Sequence, residues 1–141
     1  MPDVYALVVR GHFLEPLLDA GAAMALYVDG REAPLVSHLE GAFTSAERKR
    51  GLLGRASMPP DLAIVIAPCN AIHTFRMQFA IDVIFAARDG RVIKVRRNIG
   101  PGRVSGALGA FATIELAAGV LEGTDVTAGN QLRVAPRMSQ S

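Results

Sequence analysis

Apolar residues in this chain come in short blocks separated by turn residues. Residues 62–67 (LAIVIA) form an unbroken apolar run, the mark of a strand buried on both faces. Residues 81–87 (IDVIFAA) and 110–116 (AFATIEL) are similar, but each carries one acidic residue, Asp82 and Glu115. Residues 72–79 (IHTFRMQF) alternate instead. Ile72, Thr74, Arg76 and Gln78 fall on one side of an extended chain, and His73, Phe75, Met77 and Phe79 on the other. Residues 92–99 (VIKVRRNI) and 130–134 (NQLRV) read as further strands, and 4–9 (VYALVV) as one near the N-terminus. Asp-Gly pairs at 29–30 and 89–90 sit between apolar segments and predict two hairpins. Residues 100–109 (GPGRVSGALG) read as a glycine-rich loop, and 117–126 as a segment holding one helical turn.

Helical signals are fewer. Thr44 or Ser45 offers an N-cap to the segment SAERKRGLLGR, and the early Glu47 suits the positive end of a helix. Gly51 and Gly54 keep that helix short, and Pro59 and Pro60 forbid its continuation. Residues 13–26 admit a second helix only with Pro16 in its first turn. The pattern predicts a mainly β fold. It is a small antiparallel sandwich or barrel with one short helix at 44–54 and room for an N-terminal helix. The alternating helices and strands of a doubly wound sheet are missing. Residues 1–24 read as an N-terminal extension, either a strand plus helical cap or a leader. Residues 25–135 read as a single β-rich domain, and 136–141 as a frayed tail.

Composition narrows the classes. With 141 residues, half of them hydrophobic, the chain can bury a core without staples. Charged residues make up 20%, which argues against disorder. A net charge of +2, 6% aromatic residues and no tryptophan give little support to nucleic-acid recognition. Cys69 is the single cysteine, so no internal disulfide forms and the expected compartment is the cytoplasm. Arg10, His12, Glu15 and Asp19 interrupt every early apolar run, which excludes a signal-peptide core and a membrane span there.

Three segments, AFTSAERKRGLLGR (42–55), IHTFRMQFAIDVIFAARDGRVIKV (72–95) and ATIELAAGV with AGNQLRV (112–134), occur in an order that resembles the domain of unknown function 192 family. That family's pattern runs through Ala-x-Thr, Arg-x-x-Gly-Leu-Met-x-Arg, a Met, an apolar strand with one Asp, Asp-Gly-x-Val, and Glu-Leu-x-x-Gly before a closing Gly-Asp. Leu53 stands where the family often has Met, and Asn130 where it usually has Asp. The resemblance spans residues 25–135. It implies a small, mainly β domain with one helix and supplies no activity.

Several residues could carry chemistry. Cys69, His73 and Met77 at equal spacing, with His38 upstream, form the ligand set of a copper-type electron-transfer site. An extended strand would hold His73 and Met77 roughly 13 Å apart, so packing is the plainer reading. Cys69 with His73 as a nucleophile pair lacks a third, orienting residue. Arg48, Arg50 and Arg55, with Lys49, suit a carboxylate or phosphate, or else pair with Asp82 or Glu115. Asp82 and Glu115 sit in apolar strands, where each needs an arginine, a histidine or backbone N–H groups. The combined reading is an accessory or binding module rather than an enzyme. Its partner is a small polar or anionic ligand, or a protein. The ligand-binding candidates are Arg48, Arg55, Cys69, His73, Thr74 and Asp82, with no catalytic residue, metal or cofactor assigned. The alternative is a soft-metal or redox protein using Cys69, His73 and Met77.

Overall fold

The computed structural model describes residues 11–20 and 23–137. The element order is α1 (Glu15–Ala20), β1 (Met24–Val28), β2 (His38–Ala42), α2 (Ser45–Arg50), β3 (Leu62–Ile66), β4 (Ala71–His73), β5 (Ile81–Ala86), β6 (Val92–Ile99), β7 (Val104–Gly106), β8 (Ala112–Ala117) and β9 (Leu132–Pro136). The predicted strand at 4–9 lies outside the described residues.

The apolar blocks become the middle of one sheet. β3, β8 and β5 sit inside a five-stranded sheet of order β2-β3-β8-β5-β6, and every residue of β5 and β8 is buried. Each fully buried Leu, Ile or Phe there is worth about 1.5–3 kcal/mol. Two-stranded ribbons, β1-β9 and β4-β7, accompany this sheet. The layers do not close into a barrel, so the sandwich reading stands. One pairing departs from the antiparallel expectation: β2 runs parallel to β3, with α2 in the connection between them.

Cross-strand pairing decides which side chains share a face. On one face Val65, Ile84, Ile114 and Leu116 pack with Leu26 of β1, Val134 of β9, Leu17 of α1 and Leu14 just before it. On the other, Ile64, Ile66, Ile81, Val83 and Phe85 pack with Leu52, Met58 and Met77. Glu115 is paired with Ile64 and Val83, which places it on the second face. Asp82 is paired with Leu116 and points to the first.

Local signals fix the turns. Thr44 is the N-cap of α2: its hydroxyl accepts from the Glu47 amide at 3.1 Å, and the Glu47 carboxylate accepts from the Thr44 amide at 3.1 Å. The Asp89-Gly90 turn joins β5 to β6, with Gly90 at φ +89°. The Asp29-Gly30 turn returns only as far as one bridge, Leu26 to Val36, while β9 pairs with the whole of β1 along its other edge.

Three expectations are corrected. The alternating stretch 72–79 is a strand only to His73, because the Thr74 hydroxyl donates to Gly100 O at 2.7 Å and the Met77 amide turns back onto Thr74 O. The glycine-rich stretch 100–109 contains β7, which pairs with β4. Residues 118–123 form successive turns with no helix assigned, held by Asp82.

Candidate functional site

α2 ends above the second face of the sheet. Its C-cap, Gly51, has φ +45°, a conformation glycine adopts without cost. A Cβ placed on Gly51 would lie 3.5 Å from the Glu115 Oε1, so the helix end sits directly over that carboxyl. Arg48, Lys49 and Arg50 occupy the last turn of α2, where positive charge complements the unpaired carbonyl ends. Opposite them the chain leaves β3 through a cis Ala67–Pro68 bond and enters β4.

Between these walls lies a cavity of about 210 Å³. The α2 cations, Cys69, His73 and Met77 line its sides together with Glu115. Glu115 is 4% exposed, and burial raises its carboxyl from an ordinary 4.5 to about 7. Among the described residues, no hydrogen bond or ion pair reaches it. The Cys69 thiol is partly buried and donates to Ala71 O at 3.2 Å. His73 is exposed and stacks on Phe75, with ring centroids 5.2 Å apart. Arg48 is half-buried and donates to Phe43 O at 2.9 Å.

The six predicted ligand-binding residues therefore divide. Arg48, Cys69 and His73 share the cavity. Arg55 forms an exposed ion pair with Glu40 at 2.8 Å. Thr74 is buried at the end of the β4-β7 ribbon, where it also accepts from the Arg103 amide at 2.8 Å. Asp82 lies on the opposite face and accepts from the amides of Asn98 (2.8 Å), Gly119 (3.1 Å) and Leu121 (2.9 Å). A depression of about 430 Å³ adjoins Asp82, but both oxygens of that carboxyl are already engaged. Asp82 thus satisfies the pairing rule for a buried acid with backbone donors, and Glu115 leaves it unsatisfied. The charge in ATIELAA marks Glu115 in the sequence; its face and its lack of a partner do not appear there.

Met77 reaches the cavity with Cys69 and His73 because the chain turns after β4 instead of extending. His38 stands at the opposite end of β2 from Ala42, the residue beside Ile66, and its Nδ1 lies 2.7 Å from Arg137 Nη2. Among the described residues, no three His, Cys, Asp or Glu side chains converge closely enough to hold a metal ion. No described helix is long and apolar enough to cross a membrane.

The layered sheet with its helix-capped cavity defines a small β-rich domain that carries one buried acid beneath a cationic rim. The chain belongs to the domain of unknown function 192 family (DUF192), described as an uncharacterized ACR, whose model matches residues 26–134. Two solved structures share the fold. One is a protein of unknown function from Novosphingobium aromaticivorans, 22% identical, with a TM-score of 0.68 over 77% of this chain and 83% of that one. The other, from Sinorhizobium meliloti, is provisionally described as a transcription regulator; it is 22% identical, with a TM-score of 0.70 over 80% of this chain and 92% of that one. No curated protein matches the sequence.

Proposed function

We propose that this chain is a binding module for a small anionic ligand, held in the cavity between α2 and β4. The ligand's charge meets the exposed side chains of Lys49 and Arg50, and a neutral polar group on it meets Glu115. The observation that carries this reading is Glu115, a buried carboxyl that faces the cavity with no partner among the described residues. Its exposure is confined to the cavity, so a ligand group that enters there is placed to hydrogen-bond it. The volume of about 210 Å³ lies below the roughly 300–1,000 Å³ of drug-sized sites, which favours a metabolite of a few carbons. The free thiol of Cys69 supports a reducing compartment such as the cytoplasm.

Isothermal titration with L-malate and with inorganic phosphate tests the reading. A hydroxy acid such as malate offers both the charge and the neutral group, so it should bind more tightly than phosphate. Lys49→Glu combined with Arg50→Glu should weaken malate by tenfold or more, and Glu115→Ala should remove its advantage over phosphate. If neither probe binds, or if binding ignores all three substitutions, the reading fails.

A further inference from the structure

Among the described residues, the large apolar side chains left exposed are Phe75 (49%), Val104 (67%) and Leu108 (96%). All three belong to the β4-β7 ribbon or its extensions. Pairing explains why. Ile72 opposes Ser105 and both turn toward the sheet, whereas His73 opposes Val104 and Ala71 opposes Gly106 on the outward side. Phe75 follows in the Thr74–Met77 turn, stacked on the His73 ring, and Leu108 projects from the 107–110 turn after β7. The ribbon is fixed to the molecule beneath it: Lys94 Nζ donates to Gly106 O at 2.8 Å, and Arg96 Nη1 donates to Ser105 Oγ at 3.3 Å. Its outward face is thus a rigid, apolar ridge.

The ribbon and its extensions carry charge of one sign. Residues 70–81 and 99–111 contain no aspartate or glutamate, yet they include Arg76 and Arg103, and Lys94 and Arg96 of β6 reach the ribbon from beneath. Arg76 is exposed at φ +67° in the Thr74–Met77 turn, and Arg103 is exposed beside it. Among the described residues, neither side chain has a hydrogen-bonded or ionic partner. On the other flank, Lys49 and Arg50 stand across the cavity from Ala71 and His73.

We propose that the outward face of the β4-β7 ribbon docks onto an anionic lipid bilayer. Leu108, Val104 and Phe75 enter the headgroup boundary, and Arg76 and Arg103 meet lipid phosphates. Apolar side chains flanked by cations bind such a surface through buried area and charge together. Nucleic acid fits less well, because two of the three exposed side chains are aliphatic and one side of the Phe75 ring already meets His73.

The test is sedimentation of the full chain with vesicles of phosphatidylcholine containing phosphatidylglycerol, against phosphatidylcholine alone. The chain has no tryptophan, so Leu108→Trp supplies a fluorescent reporter at the ridge. Binding should require the anionic lipid and fall as salt rises. Each removed cation should cost roughly fivefold, so Arg76→Glu with Arg103→Glu should weaken binding at least tenfold. The emission of the introduced indole should shift to the blue on anionic vesicles. The substituted positions are exposed, and circular dichroism confirms that each variant is folded. The proposal is overturned if neither vesicle binds, or if vesicles bind while the indole emission stays unmoved. Self-association abolished by Leu108→Ser without vesicle binding would overturn it in favour of a second copy of the chain. Retention on single-stranded RNA in place of vesicles would overturn it in favour of nucleic acid.

Discussion

Replacing Glu115 by Gln isolates the energetic cost of the carboxyl beneath α2. Burial raises that group from 4.5 to about 7, so the folded protein holds a proton across an interval in which the unfolded chain has lost it. Below 4.5 both states are protonated and the group favours neither. As pH rises from 4.5 to 7, the unfolded state releases its proton first and stability falls. Above 7 both states are ionised and the full cost is present. A shift of this size corresponds to about 3 kcal/mol. Gln has nearly the same shape as the protonated acid and does not titrate. Glu115→Gln should therefore match the parent near pH 4.5 and exceed it by about 3 kcal/mol at pH 8, or roughly 10 °C in Tm for a chain of this size. Urea denaturation of both proteins, followed by far-ultraviolet circular dichroism at pH 4.5, 6, 7 and 8, measures the difference. Every other titrating group cancels between the two. Parallel stability profiles would refute the reasoning. A parent more stable than the variant at pH 8 would do so as well, because the ionised carboxylate would then have a partner.

Three further substitutions separate structural groups from the candidate site. Asp82→Ala leaves the amides of Asn98, Gly119 and Leu121 without their acceptor and should cost about 3 kcal/mol or more by chemical denaturation. Thr44→Ala removes the capping box of α2 and should cost about 1 kcal/mol in the same assay. Arg55→Ala breaks an exposed ion pair with Glu40; it should change stability by less than about 1 kcal/mol and leave malate titrations unaltered.

The features legible in the sequence are those decided within a few residues. Thr44 and Glu47 meet across one helical turn, and the Asp89-Gly90 turn places its own glycine at positive φ. Apolar runs mark β3, β5 and β8 because both faces of those strands are covered. What escaped was decided at a distance. β2 lies parallel to β3, which no feature of either strand reports. The alternation at 72–79 is a valid strand pattern. It ends at His73 because the Thr74 hydroxyl finds Gly100 O, 26 residues away. β7 is hidden among glycines, since its pairing with β4 depends on backbone atoms more than on side chains.

The two acids show where reading a site from sequence reaches its limit. FAIDVIF and ATIELAA are alike: one charge inside an apolar strand, with the same demand for a partner. β5 and β8 are neighbours, yet the register sets Asp82 against Leu116 and Val83 against Glu115. A slip of one residue between the two strands would put both acids on the same face. On the first face the turn at 119–121 brings amides to Asp82, and the acid becomes part of the fold. On the second face the end of α2 brings the glycine at 51, which has no side chain to fill the space or supply a donor. The open carboxyl of Glu115, on which the proposed binding rests, thus arises from a glycine and a register that the residue itself does not announce. Gly51→Ala should set a methyl against that carboxyl, in the space a ligand would use, and strain the φ +45° cap at once. It should therefore lower both stability and malate affinity, whereas Thr44→Ala at the other end of the same helix should lower stability alone.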